Sequence, residues 1–342
     1  MPSVVNGPED GVLDWDAVDW RACEKRVRCL RQRIFTARRA GDLKKVRNLQ
    51  KLMLRSRANT LLSVRRVTER NAGRLTAGVD GEVVLTSKAK MALACRVQRS
   101  TEPFRACPVR RVYIPKQGSR KRRPLGIPVI LDRVQQARVV GALEPEWEAR
   151  FEPKSYGFRP GRGCHDAIAA IYMVAKGKSP KRRWILDADL AAAFDRIDHD
   201  HLLMQLGAFP ARGMVRQWLK AGVVEDGRFT PTEEGTPQGG VISPVLLNVA
   251  LHGMEQAAGV RYETTGSHAG WTLRAPRFWL DLPMISSLCA ILGMRRSRSR
   301  HGLPGGLSPG AWPSTRTRRV SSPSKRASTS SGSTSAVITA RC

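Results

Sequence analysis

The sequence predicts an α/β (α+β) protein with a helical N-terminal extension, a mixed helix-and-strand middle and an unstructured C-terminal tail. Three observations carry this. Leu43, Val46, Leu49 and Met53 recur at helical spacing, with Lys44, Lys45, Arg47 and Lys51 on the other face. Val109-Arg-Arg-Val-Tyr-Ile-Pro115 alternates as a strand does, and Trp184-Ile-Leu186 is a short apolar run of the buried-strand kind. From Leu282 to Cys342 there is no Asp or Glu against ten Lys and Arg, apolar periodicity stops, and Ser, Arg, Pro and Gly dominate.

Taken in order, residues 14–70 read as helical. Asn71–Gly81 holds three glycines and reads as a loop. The alternating strand at 109–115 is followed by a basic turn, Gln117–Arg123, and a second extended piece, Pro124–Ile130. Residues 131–150, 199–222 and 245–258 read as helices. The expected domains are a basic helical extension (1–70), a segment with the loop and paired strands (71–183), a strand-and-helix segment (184–275) and the aberrant tail (276–342).

Composition narrows the function. The chain has 342 residues, 41% of them hydrophobic, which suits a globular protein. Its net charge is +30 and its pI about 11.1. Charge this lopsided repels itself unless a polyanion shares the surface, so nucleic acid is the expected partner. Subtracting the tail's +10 leaves +20 on residues 1–281. Seven cysteines form no Cys-x-x-Cys pair, which argues against a zinc site or disulfide framework and for reduced thiols in a cytoplasm. The first residues do not read as a signal peptide, and no 18-residue apolar run predicts a membrane span.

Two stretches carry chemistry. Asp187 and Asp189 are two apart at the end of an apolar run, so a strand continuing that far would set both on one face. Alone, Asp-Ala-Asp reads better as surface or helix-capping carboxylates than as metal ligands. Gly235-Thr-Pro-Gln-Gly-Gly-Val-Ile-Ser-Pro244 is a Gly/Pro loop opening into an apolar helix. Around them stand Val112-Tyr-Ile-Pro-Lys-Gln-Gly-Ser-Arg-Lys-Arg-Arg-Pro-Leu-Gly-Ile-Pro128, Ser155-Tyr-Gly-Phe-Arg-Pro-Gly-Arg162 and Asp189-Leu-Ala-Ala-Ala-Phe-Asp195.

These blocks, in this order over about residues 15–275, resemble reverse transcriptases of the group II intron type: RNA-directed DNA polymerases with a maturase role. The resemblance implies the fingers and part of the palm of a right-hand polymerase, with Mg²⁺ (or Mn²⁺) as cofactor. It implies dNTPs, template RNA or intron RNA, and a DNA primer as partners, with no membrane. Nothing in the sequence decides for or against a dimer. By resemblance, Asp189 and the main-chain carbonyl of Leu190 bind metal, and the Phe194 ring blocks a ribose 2′-hydroxyl. Lys116 and Arg123 fold over the triphosphate, and Gln238 sits beside the incoming nucleotide. Arg159, Arg162, Gly239 and Gly240 lie along the template, and Asn71–Gly81 resembles a loop near it.

One block is missing. The family continues to a strand carrying Tyr/Phe-Ala-Asp-Asp, whose carboxylates complete the metal site, and here Asp281 is the only acid after Glu263. The genetic code offers a reason. Shifted by one nucleotide, Met284-Ile285 must encode Asp, and Asp281-Leu-Pro-Met-Ile285 can encode Phe-Ala-Asp-Asp. The same shift lets Ser314–Val320 and Ala327–Ala336 resemble the next blocks of the family. The expectation is therefore a frameshift between about Gly270 and Arg277, and a chain defective in two-metal chemistry. The alternatives are a non-catalytic RNA-binding protein, a remnant without function, or another reverse-transcriptase lineage.

Overall fold

The computed structural model of the chain describes residues 14–100, 103–115, 122–176, 184–188, 193–257, 261–262, 272–274, 278–281 and 288–292. They fall into two compact units: Met1–Arg150 with Phe194–Ala250, and Phe151–Ala193 with Leu251–Cys342.

The first unit opens with α1 (Trp20–Arg39), α2 (Leu43–Arg55) and α3 (Arg57–Arg65). Each begins where a short polar side chain takes up an orphan N–H of the first turn: Asp19 accepts from Ala22 at 2.9 Å, Asp42 from Lys45 at 2.9 Å and Ser56 from Asn59 at 3.4 Å. Val46, Leu49 and Met53 are buried as their spacing predicts, whereas Leu43 is 49% exposed, being the first residue of its helix. After a π-helical turn (Arg66–Arg70) and a 3₁₀ turn (Ala72–Leu75), α4 (Ser87–Arg99) starts at a Thr86 cap. Next come β1 (Val109–Pro115), β2 (Arg122–Ile127) and α5 (Ile130–Glu148).

Helix α5 is buried along most of its length, from Ile130 and Val134 through Leu143 and Trp147. It carries no single apolar stripe because α1, α2 and α3 pack around it. Val64, Val67, Met91, Val97, Ile130 and Val134 belong to one core cluster; burying each side chain of this size contributes about 1.5–3 kcal/mol. Polar ties cross the same interface: Asn59 donates to the Met53 and Arg138 carbonyls at 3.1 Å each, and Gln50 to Glu146 at 2.7 Å. The Arg138 guanidinium donates to the Leu54 carbonyl, and burial pushes it down to about 10.

The chain then contributes α6 (Cys164–Ala175) and β3 (Trp184–Ala188) to the second unit. It returns to the first with α7 (His199–Leu206), α8 (Arg212–Leu219), β4 (Val223–Glu225), β5 (Arg228–Thr230) and α9 (Ser243–Leu251), whose last residue begins the return to the second unit. The single helix expected over 199–222 is thus two, broken at Gly207 and Pro210. The one expected over 245–258 breaks likewise, between α9 and α10 (Met254–Ala257), at Gly253. The first unit's sheet runs β2-β1-β4-β5. β1 and β2 are antiparallel, with Tyr113 opposite Pro124 and Ile114 opposite Arg123, and β1 pairs parallel with β4 through Val109 and Val223.

In the second unit, β6 (Arg261–Tyr262) pairs with β7 (Thr272–Arg274). β8 (Phe278–Asp281) and β9 (Leu288–Leu292) join β3 in an antiparallel sheet of order β3-β9-β8, with Asp187 opposite Cys289 and Cys289 opposite Asp281. Most of residues 276–342 lie outside the described residues; the two segments described there are strands, where the sequence predicts no regular element. Nor do the boundaries expected at 70 and 183 coincide with the two units, because residues 194–250 fold with 1–150. Among the described residues no helix is long and apolar enough to cross a membrane.

Candidate nucleotide and template site

Three sequence blocks converge in the first unit. Residues 194–199 and 235–236 meet through two backbone hydrogen bonds: Thr236 N–H donates to the Phe194 carbonyl at 2.6 Å, and Gly235 N–H to the Ile197 carbonyl at 2.8 Å. The buried His199 ring lies with Nε2 2.7 Å from the Gly235 carbonyl. The contact is so close that only glycine fits at 235. Its φ is +82°, and a β-carbon there would come within 2.6 Å of the Asp195 backbone.

The rest of the Gly/Pro loop is fastened from two other sides. Gly126 N–H, on β2, donates to the Gln238 carbonyl at 2.6 Å. From α5, the buried Gln136 accepts Val241 N–H at 2.8 Å. Inside the loop, Ser243 Oγ donates to the Pro237 carbonyl at 2.8 Å and lies 3.0 Å from the Thr236 hydroxyl. The loop's shape is therefore held by backbone and buried polar groups before any ligand arrives, as preorganisation requires.

Among the predicted residues, Phe194 is half-buried at this junction, Gln238 is half-buried, Gly239 is exposed and Gly240 is buried. Arg123 is exposed on β2, the strand whose Gly126 holds Gln238. Gln238 Nε2 donates to the Asp195 carboxylate at 3.2 Å. Burial pushes Asp195 above its usual range, opposed by nearby Arg111 and by the Gln238 bond. Lys116, Asp189 and Leu190 lie outside the described residues.

Arg159 and Arg162 sit in the second unit, where their guanidinium groups bond to backbone carbonyls. The Arg159 side chain is 6% exposed, and its Nη1 donates to the Glu152 and Ser155 carbonyls at 2.8 and 2.9 Å. Arg162, half-buried, donates to the Pro153 and Ser155 carbonyls at 2.6 and 3.0 Å. Both brace the loop that carries them, because a turn rich in unpaired carbonyls needs buried donors. The same loop is pinned by Glu152, which accepts Gly253 N–H at 2.6 Å and lies 3.0 Å from His252 Nδ1. Glu152 sits below the usual carboxylate range: burial alone would raise it, but His252 and the backbone donors outweigh that.

Asp195, Gln136 and His199 were not singled out by the sequence as parts of the site. Asp195 had a readable signal, since it follows Phe194 directly in the Asp189–Asp195 block; His199, beyond that block, and Gln136, in the middle of a buried helix, had none. Among the described residues no group of three or more His, Cys, Asp or Glu is placed to hold a metal ion. The described side chains do not make up the expected Mg²⁺ site.

The Gly/Pro loop is thus fixed between the turn carrying Phe194 and Asp195 and the strand pair β1–β2. Comparison with known proteins names the class. The family model described as the N-terminal domain of reverse transcriptase matches residues 15–97, and that for reverse transcriptase (RNA-dependent DNA polymerase) matches residues 114–268. The chain belongs to the reverse-transcriptase family, and its relatives include group II intron-encoded proteins. It is 37% identical over 219 residues to protein YkfC of Escherichia coli, covering 62% of this chain and 57% of that protein. It is 40% identical over 153 residues to the group II intron-encoded protein LtrA of Lactococcus lactis, covering 44% of this chain and 25% of LtrA. Against a 91 kDa protein in the cob intron of Schizosaccharomyces pombe it is 32% identical over 214 residues, covering 61% of this chain and 26% of that protein. The chain thus spans between a quarter and somewhat over half of these relatives.

Proposed function

We propose that this chain grips an RNA template and DNA primer as a group II intron reverse transcriptase does, and that it does so without turnover. The observation that carries the reading is the meeting of the Gly235–Ser243 loop with residues 194–199 and with Gly126 of β2. In this reading Gln238 faces the incoming dNTP and the Phe194 ring limits its sugar. Arg123, with Lys116, neutralises its phosphates by charge and bidentate hydrogen bonding. Gly239 and Gly240 let the template backbone approach, and Arg162 is the second unit's candidate for template phosphate. Intron RNA engages the basic helices of residues 20–70. The defect follows from the missing second carboxylate pair, since two-metal transfer needs ligands on both sides of the reacting phosphate. The frame-shifted Phe-Ala-Asp-Asp supports an origin in a damaged or recoded gene.

The test sets the full chain against a chain recoded by one nucleotide after about codon 270, both with RNA template, DNA primer, dNTPs and Mg²⁺. The expected outcome is salt-sensitive binding by both chains and primer extension by the recoded chain alone. Extension by the chain as it stands would sink the defect. Absence of binding would sink the whole reading.

A further inference from the structure

A groove of about 910 Å³ in the first unit runs between one face of α1 and the turn that follows α3. Glu24, Arg28 and Arg31 line it from α1, at the spacing that puts helical residues on one face. Arg65, Arg66 and Arg70 line it from the other side. Five arginines therefore share the groove with a single acid, Glu24, among the described residues that line it.

The five arginines differ in what holds them. Arg31 pairs with Glu144, outside the groove. Arg65 is fixed in place: its guanidinium lies 4.5 Å from the centre of the Trp20 ring and 3.5 Å from Glu69, which itself accepts Trp15 Nε1–H at 2.9 Å and Lys90 at 3.0 Å. Arg28 and Arg66 are exposed and bond no acid among the described residues. Arg70 has Glu24 alone, at 3.4 Å. Glu24 offers the same oxygen, Oε1, to Arg65 at 3.6 Å and to Arg70 at 3.4 Å. Both distances exceed the roughly 2.7–2.9 Å of a good charged hydrogen bond. With the Glu24 and Arg70 side chains 39% and 60% exposed, the pair adds little to folding. What it does is occupy Arg70 and set a negative charge where a phosphate would arrive.

That arrangement treats two kinds of anion differently. A small free phosphate has to displace Glu24 from solution. A polyanion already seated on Arg28 and Arg66 brings its next phosphate to Arg70 as an intramolecular step, at high effective concentration. We propose that Glu24 is a specificity-determining residue that stands in for phosphate on Arg70, and so keeps the groove closed to small free phosphates while leaving it open to RNA. The proposal deepens the RNA-binding reading above and rests on it.

The test measures dissociation constants of the full chain for a hairpin RNA and for inorganic tripolyphosphate by titration calorimetry. Glu24→Gln should tighten tripolyphosphate binding by about tenfold, the worth of one charged hydrogen bond released. It should tighten RNA binding by no more than about threefold, so the preference for RNA narrows. Glu24→Gln with Arg70→Gln should return tripolyphosphate to the wild-type affinity, because the gain acts through Arg70. Glu24→Asp, which keeps the charge on a shorter reach, should fall between wild type and Glu24→Gln, and carries the comparison if Glu24→Gln fails to fold. No tightening, equal factors for the two ligands, or a gain that survives the loss of Arg70 would overturn the proposal. Failure of wild type and every variant to bind the RNA would instead overturn the RNA-binding reading beneath it.

Discussion

At Gly235 the chain runs where only a missing side chain permits it, with φ +82° and the Asp195 backbone 2.6 Å from where a β-carbon would stand. Gly235→Ala is expected to destabilise the first unit by about 1–3 kcal/mol, the range for a strained backbone position. The obstacle is main chain, so no side-chain rotation can relieve it. Urea denaturation checks this; an unchanged midpoint would mean that the loop is free to move away from residues 194–199. The glycine itself was legible as part of a Gly/Pro loop. Its neighbour was not: that Asp195 stands against it, and that His199 reaches its carbonyl, depends on a pairing of segments some 36 residues apart along the chain. The Asp195–Gln238 bond was hidden for the same reason.

Among the elements, α5 sets the terms for the first unit, and one of its acids makes it pH-sensitive. Asp132, in the first turn, is 1% exposed and accepts Cys107 N–H at 2.9 Å and Trp218 Nε1–H at 3.3 Å. It thereby ties α5 to the lead-in of β1 and to α8. Burial raises its pKa from 3.8 to about 6; the two hydrogen bonds oppose that shift, and Asp80 adds to it. Between those values the native chain holds a proton that the unfolded chain has released, so this group's contribution to stability falls as pH rises from about 4 to 6. Above 6 the full cost of a buried charge is present, on the order of 3 kcal/mol for a shift of this size. Asp132→Asn should lack that dependence. Its stability relative to wild type should climb across pH 4–6 and then level off, as read from denaturation midpoints at each pH; a constant offset would show that Asp132 titrates normally. The elements were mostly legible where local pattern decides. The spacing of Val46, Leu49 and Met53 gave α2 and the alternation of 109–115 gave β1, while the division of 14–70 at the Asp19, Asp42 and Ser56 caps went unread. A further readable signal was passed over: Asp226-Gly227, both at positive φ, joins β4 to β5 as a two-residue hairpin turn. What local pattern could not give was the parallel pairing of β1 with β4, more than a hundred residues on.

At the scale of the whole molecule, the charge is unevenly spread, and that unevenness sets what the protein meets. Residues 20–70 carry seventeen Lys and Arg against three Asp and Glu. Part of this is spent internally: Arg31 pairs with Glu144, and Arg65 and Arg70 approach Glu24 at 3.6 and 3.4 Å. Arg65 and Arg70 also line, with some of the other basic residues, two grooves against α1. One, of about 910 Å³, includes Arg28, Arg65, Arg66 and Arg70; the other, of about 550 Å³, includes Lys25, Arg26, Arg33 and Arg55. No acid lines the second groove, so a polyanion is the ligand its electrostatics favour. Binding driven this way releases counterions, and log K falls linearly with log salt at about 0.7–0.9 per neutralised phosphate. Replacing Lys25, Arg26, Arg33 and Arg55 together by Gln should lower the magnitude of the slope for RNA by about three. Thermal stability should stay near that of wild type, since all four are surface groups without a bonded acid among the described residues. An unchanged slope would place these four charges away from the RNA and shift the electrostatic contact to the first groove, where Glu24 competes with phosphate for Arg65 and Arg70.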